Sequence, residues 1–312
     1  MSPDSPAADA ALAALAQAQL DLDALVLDQH QRLRLALACV VARGHLLIED
    51  LPGLGKTLLA QSLARVLGLA FKRVQFTSDL LPADITGASV WEHERGEFRF
   101  VPGPVFAELL LADEVNRSSP KTQSALLEAM EERQVSVDGH SHPLPPVFFV
   151  VATQNPLDSQ GAHPLPEAQL DRFLMRLDLG YPGREAELAL LAGEDRRRLL
   201  ERAPARLDAA ALVALQRRCE QVHAAPALLE YLWRLLAATR ESGALRCGLS
   251  PRAGLALLAA ARAWALLAGR SHVLPADLQA VWLPVVGHRL ACVDGGDAGA
   301  VAARLLDEVE PA

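Results

Sequence analysis

Aromatic side chains are scarce in this sequence. Phe, Trp and Tyr together supply 4% of its 312 residues, while hydrophobic residues of all kinds supply 51%. A core so poor in rings must be filled mostly by Leu, Val and Ala, a composition that favours helices. A chain of this length makes one large or two ordinary domains. Cysteine is sparse as well, and no two of the four form a Cys-x-x-Cys pair. Cys39 and Cys219 fall inside helix-like patterns and Cys247 and Cys292 are far apart, so the expectation is buried, reduced thiols in the cytoplasm. Long apolar runs are missing. Arg43 and His45 interrupt the best candidate before it reaches about 18 residues, so no membrane-spanning helix is expected. The N-terminal stretch is acidic and Ala-rich rather than basic and then apolar, so no signal peptide is expected either. Positive charge is also in deficit: Lys and Arg number 30 against 38 Asp and Glu, a formal net charge of −8. That balance argues against a protein devoted to neutralising nucleic-acid phosphates, while leaving room for a local basic loop.

What the sequence has instead is a phosphate-binding loop. Residues 46–57 read LLIEDLPGLGKT, an apolar run leading into a glycine-bearing loop and then Lys-Thr. The following LLAQSLARVLGLA reads as a helix that stops at Gly68. Strand, glycine loop, Lys-Thr and helix is the context a P-loop requires. Gly53 and Gly55 let the backbone curl so that successive N–H groups point at an anion, and the helix adds its positive N-terminal end. The cradle is Pro52, Gly53, Leu54, Gly55, Lys56, Thr57 and Leu58. Within it Lys56 reaches the β- and γ-phosphates of a nucleoside triphosphate and the Thr57 hydroxyl binds Mg²⁺. Asp50 stands where the pattern has its first glycine, at the strand exit and ahead of the cradle.

The remaining chain supplies partners for that loop. Residues 1–8 are expected to be disordered, 9–27 to form an Ala/Leu helix, and 31–44 an amphipathic helix stopped by Gly44. FKRVQF (71–76) alternates as a strand does, and SVWEHERGEFRFVPGPV (89–105) reads as a hairpin turning at Arg95-Gly96. FAELLLADE (106–114) places Asp113 and Glu114 at the tip of a buried strand, where ligands bind in doubly wound sheets. Asp113 then holds Mg²⁺ and Glu114 polarises the attacking water. A helix is expected over 118–135, a second hairpin turns at Asp138-Gly139, and the apolar strand VFFVVAT exits at Asn155, an amide suited to sensing a γ-phosphate. His140 and His142 have no third partner, so a zinc site is rejected. Arg172 closes a short helix, where a cation answers the helix dipole. Tyr181-Pro182-Gly183 is the best domain boundary, and helices are expected at 184–200, 208–223, 226–241, 251–268, 275–290 and 298–308. Arg252 falls in the first turn of a helix capped by Ser250. A cation there opposes the dipole, so either a neighbouring anion such as a nucleotide phosphate or plain solvation accounts for it.

With these segments in order the chain resembles the MoxR-type ATPases of the AAA+ superfamily. The resemblance covers about residues 25–310 and rests on EDLPGLGKT, RGEFRFVPGP, LLADEVNRSSPKTQSALLEAMEERQV, ATQNPLDSQGAHPLPEAQLDRF and SPRA. It implies that Lys56 and Thr57 are the Walker A pair, Asp113 and Glu114 the Walker B pair, and Asn155 sensor 1. It further implies that Arg172 is an arginine finger acting on a neighbouring subunit's nucleotide and Arg252 is sensor 2. The hairpins at 89–105 and 135–147 resemble the family's helix-2 and pre-sensor-1 inserts. Two positions depart from the family pattern: Asp28, where Gly is common near the expected adenine pocket, and His163, where an aromatic is common. The implied fold is α/β, a P-loop core with a five-stranded parallel sheet over residues 1–182 (1–24 as an extension), followed by an all-α lid over 183–312. The implied assembly is a hexameric ring with ATP and Mg²⁺ at its interfaces. The implied work is remodelling of protein clients, in maturation or metal-cofactor assembly, beside an adaptor with a von Willebrand factor A domain.

The rival is a nucleic-acid motor that grips DNA with the hairpins. The first hairpin mixes Glu92, Glu94 and Glu97 with Arg95 and Arg99, and the second offers Asp138 and two His. Neither is expected to form a basic groove or a Lys/Arg–aromatic stacking platform. A switch that binds nucleotide without turnover is opposed by the presence of Glu114 and Arg172.

Overall fold

The computed structural model describes residues 6–156, 163–193 and 195–311. Helices α1 (Pro6–Leu25) and α2 (His30–Val41) precede strand β1 (Leu46–Glu49), and helix α3 (Lys56–Val66) follows the glycine loop. Strand β2 (Phe71–Gln75) leads through a short helix α4 (Pro82–Thr86) to a hairpin, β3 (Gly87–Glu92) and β4 (Glu97–Pro102). Next come β5 (Leu109–Asp113), α5 (Pro120–Glu132), a second hairpin of β6 (Gln134–Val137) and β7 (His140–Pro143), and β8 (Phe149–Gln154). The one-turn helix α6 (Glu167–Leu170) and strand β9 (Met175–Leu177) follow. Beyond them the chain is helical: α7 (Arg184–Ala192), α8 (Arg196–Arg202), α9 (Ala209–Glu220), α10 (Pro226–Glu241), α11 (Pro251–Leu267), α12 (Pro275–Val286) and α13 (Ala298–Glu308).

The five strands β2, β5, β8, β1 and β9 lie in that order and all run parallel. Three of them are nearly continuous apolar runs because both faces are covered. Alternate residues go to opposite faces, as strand geometry demands. Leu46, Ile48, Leu109, Leu111, Phe149 and Val151 join one core, which they share with helices α1–α3 and the C-terminal helices. Leu47, Leu110, Ala112, Val150 and Ala152 join the other, with Leu126, Leu127 and Phe173. The register pairs Glu49 with Gln154 and Gln75 with Asp113. The carboxyl ends of β1, β5 and β8 therefore emerge side by side.

Several boundaries differ from expectation for identifiable reasons. The disorder expected over 1–8 gives way to helix from Pro6, while residues 1–5 lie outside the described residues. Helix α1 is docked through buried Leu15, Ala18 and Leu22, with ion pairs Arg206–Asp21 and Arg218–Asp9 at its edge. Helix α2 ends at Val41 and Arg43 takes the left-handed turn (φ +58°), not Gly44. Gly44 is small for another reason: a Cβ there would lie 2.3 Å from Leu174. The single helix expected over 184–200 is two, because α7 stops at Gly193 and the Asp195 side chain caps α8 by accepting the Arg197 N–H at 2.9 Å.

Candidate nucleotide site

The loop between β1 and α3 turns on two glycines in the left-handed region, Gly53 (φ +86°) and Gly55 (φ +88°). Any other L-residue would be strained at both, so the sequence spends its glycines where the backbone must curl. Lys56 opens α3 and folds back over the loop, donating to the carbonyls of Asp50 and Leu51, the latter at 2.9 Å. Burial lowers its pKa, while the carboxylates of Asp50, Asp113 and Glu114 pull it back up. An ammonium held this way is a ready partner for an anion entering the loop.

One cleft of about 550 Å³ gathers the expected groups. Pro52, Gly53, Gly55, Lys56, Thr57 and Leu58 form its floor, and Asp113, Glu114 and Asn155 enter from the tips of β5 and β8. Of the cradle residues expected from sequence, Leu54 does not line it. Thr57 and Asp113 offer two oxygen donors. That suits Mg²⁺, which takes few protein ligands and completes its shell with phosphate and water.

The two acidic residues are held by groups the sequence did not flag. Glu114 is itself in the left-handed region (φ +56°), so the chain leaves β5 sharply. Its N–H donates to the Thr153 hydroxyl at 2.8 Å, and that hydroxyl donates to Asp113 Oδ1 at 2.6 Å. Arg73 clamps Asp113 Oδ2 through two nitrogens, at 2.7 and 3.1 Å. Glu114 Oε2 accepts from Gln75 Nε2 at 2.6 Å and from Arg117 at 2.9 Å. Arg73 and Gln75 are two apart on β2 beside β5, so strand alternation alone could have found them. The far wall comes from the α7–α8 junction: Leu190, Gly193, Asp195, Arg196 and Arg197. The Arg run at 196–198 was the available signal for that wall.

Arg172 and Arg252 lie elsewhere. Arg172 Nε and Arg252 Nη1 share Glu131 of α5, at 2.8 and 3.0 Å, and Arg252 also approaches Asp171 at 3.7 Å. The structure thus brings Arg252 beside Arg172 and not among the residues lining the cleft. Asp171 is held in turn by Arg289, a guanidinium 5% exposed that follows α12. Asp28 has φ +58°, which explains why glycine is at home there, and its carboxylate accepts the Gly183 N–H at 2.7 Å at the start of α7. The His163 backbone is pinned to Asn116 and Gln123, whereas residues 157–162 of the same motif lie outside the described residues.

The hairpins differ from the expectation in one respect. Trp91 and Phe98 form an exposed edge-to-face pair at 5.1 Å, and the His142 ring stacks on Phe100 at 3.8 Å, joining the two hairpins. An aromatic surface is therefore present. Its neighbouring cations, Arg95 and Arg99, face Glu92 at 3.6 and 3.8 Å.

Residues 45–175 match the model of the ATPase family associated with various cellular activities (AAA), and residues 237–308 match the AAA lid domain. The chain is 40% identical to Chaperone MoxR1 of Mycobacterium tuberculosis, over 95% of this chain and 78% of that protein. It is 34% identical to Protein MoxR of Paracoccus denitrificans, over 88% and 87%. A crystal structure from Cytophaga hutchinsonii, described as a candidate ATPase, superposes with a TM-score of 0.88 at 33% identity, covering 98% and 97% of the two chains.

Proposed function

Because this chain belongs to the MoxR-type AAA+ ATPases, we propose that it couples Mg²⁺-dependent ATP hydrolysis to the remodelling of protein clients. The observation that best supports this reading is the single cleft shared by Lys56, Thr57, Asp113, Glu114 and Asn155. In it the Gly53–Gly55 loop and Lys56 would bind the phosphates, Thr57 and Asp113 would hold Mg²⁺, the Glu114 carboxylate would accept a hydrogen bond from the attacking water and so polarise it, and Asn155 would orient that water against the γ-phosphate. The metal supplies charge neutralisation on the phosphoryl oxygens. The division of labour is a core over 1–182 and a lid over 183–312. The chain assembles as a hexameric ring. Its clients include partners maturing or receiving metal cofactors, with a von Willebrand factor A domain adaptor alongside. Its four cysteines are unpaired, three of them buried as expected and Cys247 exposed against expectation, and unpaired thiols suit the cytoplasm. The linked hairpins, with their exposed aromatics and paired arginines, suit an apolar protein client better than a phosphate backbone.

Arg172 and Arg252 serve the neighbouring subunit's nucleotide. Both sit on Glu131, and neither lines the chain's own cleft. A guanidinium supplied from a neighbour is worth roughly 10³–10⁵ in rate. The test mixes Arg172→Ala with a Lys56→Ala/Glu114→Gln double mutant. Each is inactive alone, yet a mixed ring sets an intact cleft beside an intact finger, so activity should return. Arg252→Ala should sort with Arg172→Ala in the same assay. Absence of recovery in rings shown to co-assemble would refute action between subunits.

A further inference from the structure

Asp50 replaces the first glycine of the common P-loop pattern, and the roles above leave its carboxylate unused. That side chain is buried. Its Oδ1 accepts the Leu51 N–H at 2.8 Å, and its Oδ2 accepts the successive N–H groups of Leu179 and Gly180 at 2.6 and 2.7 Å. Gly180 is in the left-handed region (φ +67°), the geometry in which neighbouring amides converge on one anion. A carboxylate near a phosphate loop would repel the ligand, and this one is turned away into that amide pair. The main-chain carbonyl of the same residue accepts from Lys56.

Residues 178–183 join β9 to α7, and they are held on their other side as well. Gln29 Nε2 donates to the Leu179 carbonyl at 3.1 Å and Gly183 donates to Asp28 at 2.7 Å. Leu190 of helix α7, Gly193 at its end and Asp195 at the start of α8 then line the cleft opposite the phosphate loop. Asp50 therefore touches the phosphate-binding lysine with its carbonyl and the root of the opposite wall with its carboxylate.

We propose that Asp50 is a positioning residue that transmits the state of Lys56 to the α7–α8 wall. A phosphate competes with the Asp50 carbonyl for the Lys56 ammonium. The peptide at the strand exit then shifts, and the carboxylate carries residues 179–180 with it, setting α7–α8 against the bound nucleotide. This rests on the nucleotide reading of the cleft and adds a coupling residue to it.

Hydrogen exchange tests it on the full chain, in a Glu114→Gln background with saturating Mg²⁺ and ATP. The parent should show exchange slowed about tenfold by ATP in peptides covering 184–202. Asp50→Gly, the residue of the common pattern, should bind ATP within about threefold of the parent yet show less than about twofold slowing there. Asp50→Asn keeps one accepting oxygen at the same volume and should fall between, and it decides the question if the glycine variant does not fold. Full ATP-dependent slowing in both variants, even with lowered thermal stability, makes Asp50 merely structural and overturns the proposal. Loss of ATP binding in both variants places Asp50 in the cradle and overturns it equally. Failure of the parent to bind ATP would instead bring down the nucleotide reading itself.

Discussion

Replacing Arg289 with Met should loosen the turn that carries Arg172. The Arg289 side chain is 5% exposed and its donors are fully committed. Nε reaches Asp171 Oδ1 at 2.7 Å, Nη2 the carbonyls of Phe173 at 2.7 Å and Asp171 at 3.2 Å, and Nη1 the carbonyl of Leu174 at 3.2 Å. Burial lowers its pKa, and Asp171 opposes that shift. Methionine keeps much of the apolar stem but removes the donors to the Asp171 carboxylate and to the carbonyls of Asp171, Phe173, Leu174 and Val285, of which Phe173 keeps the His288 ring nitrogen at 3.0 Å. Removing one partner of a buried pair costs about 3–5 kcal/mol. Asp171 keeps some solvent, being 26% exposed, and retains Arg252 at 3.7 Å, which places the expected loss at the lower end, about 3 kcal/mol. Adding Asp171→Asn removes the stranded charge, so the double mutant should cost about 1.5–3 kcal/mol less than the sum of the singles. Urea denaturation of the four proteins measures this directly. In the subunit-mixing assay Arg289→Met should sort with Arg172→Ala, since its own cleft is untouched. A loss below about 1 kcal/mol, or additivity within the usual few tenths, would refute the claim that Arg289 holds this turn.

Two further perturbations follow from buried groups. Thr153→Val preserves volume but leaves the Glu114 N–H without its acceptor and Asp113 Oδ1 without its donor. It should cost about 2–4 kcal/mol of stability and lower kcat at least about tenfold while ATP affinity stays within threefold. Thr153→Ser should restore both, and an unchanged kcat in the Val variant would show that Thr153 does not hold the acidic pair. His45 and His288 are buried neutral, with pKa values lowered by burial to about 3. Unfolded histidines take up protons below about pH 6.5, whereas these native ones do not until about 3. The unfolded state therefore binds more protons across that window, and stability is present above it and lost as pH falls through it. The two together contribute a slope of up to about 2.7 kcal/mol per pH unit, which His45→Gln should reduce by half. Denaturation midpoints between pH 4 and 6 that do not change slope in His45→Gln would contradict this.

Most of the sheet was legible because three of its strands, β1, β5 and β8, are buried on both faces. Runs such as LLLAD and FVVATQ have no other sensible reading, and the acidic tip of β5 follows from where such a strand must end. The glycine loop was legible for a different reason, since Gly53 and Gly55 occupy positions that require left-handed backbone. Contacts between distant segments were not legible. Nothing local announces that Thr153 sits under Glu114, that Asp50 reaches Leu179, or that Arg289 reaches Asp171, more than 100 residues away in each of the last two cases. Arg252 illustrates the limit most clearly. Its place in a first helical turn pointed to an anion nearby, and one is there, but it is Glu131 and not a group of the chain's own cleft.

The contacts around the acidic pair divide by burial, and the division matches what the proposed catalytic roles would require of each. Arg73 and Arg117 have side chains 48% and 53% exposed, so their pairings with Asp113 and Glu114 are individually worth only about 0–1 kcal/mol. Such contacts are cheap to exchange, as the roles proposed above would demand, with Asp113 Oδ2 turning to a metal ion and Glu114 Oε2 to a water. The Thr153 hydroxyl is fully buried, and neither of its hydrogen bonds uses an oxygen that the reaction needs free. Thr153 therefore sets the direction in which the two carboxylates leave the strand, while the half-exposed cations keep their charges paired in contacts weak enough for the proposed Mg²⁺ and ATP to displace. A buried arginine in place of Arg73 would have bound Asp113 too firmly to yield it, and a hydroxyl as exposed as Arg73 would have left Glu114 without a fixed starting geometry.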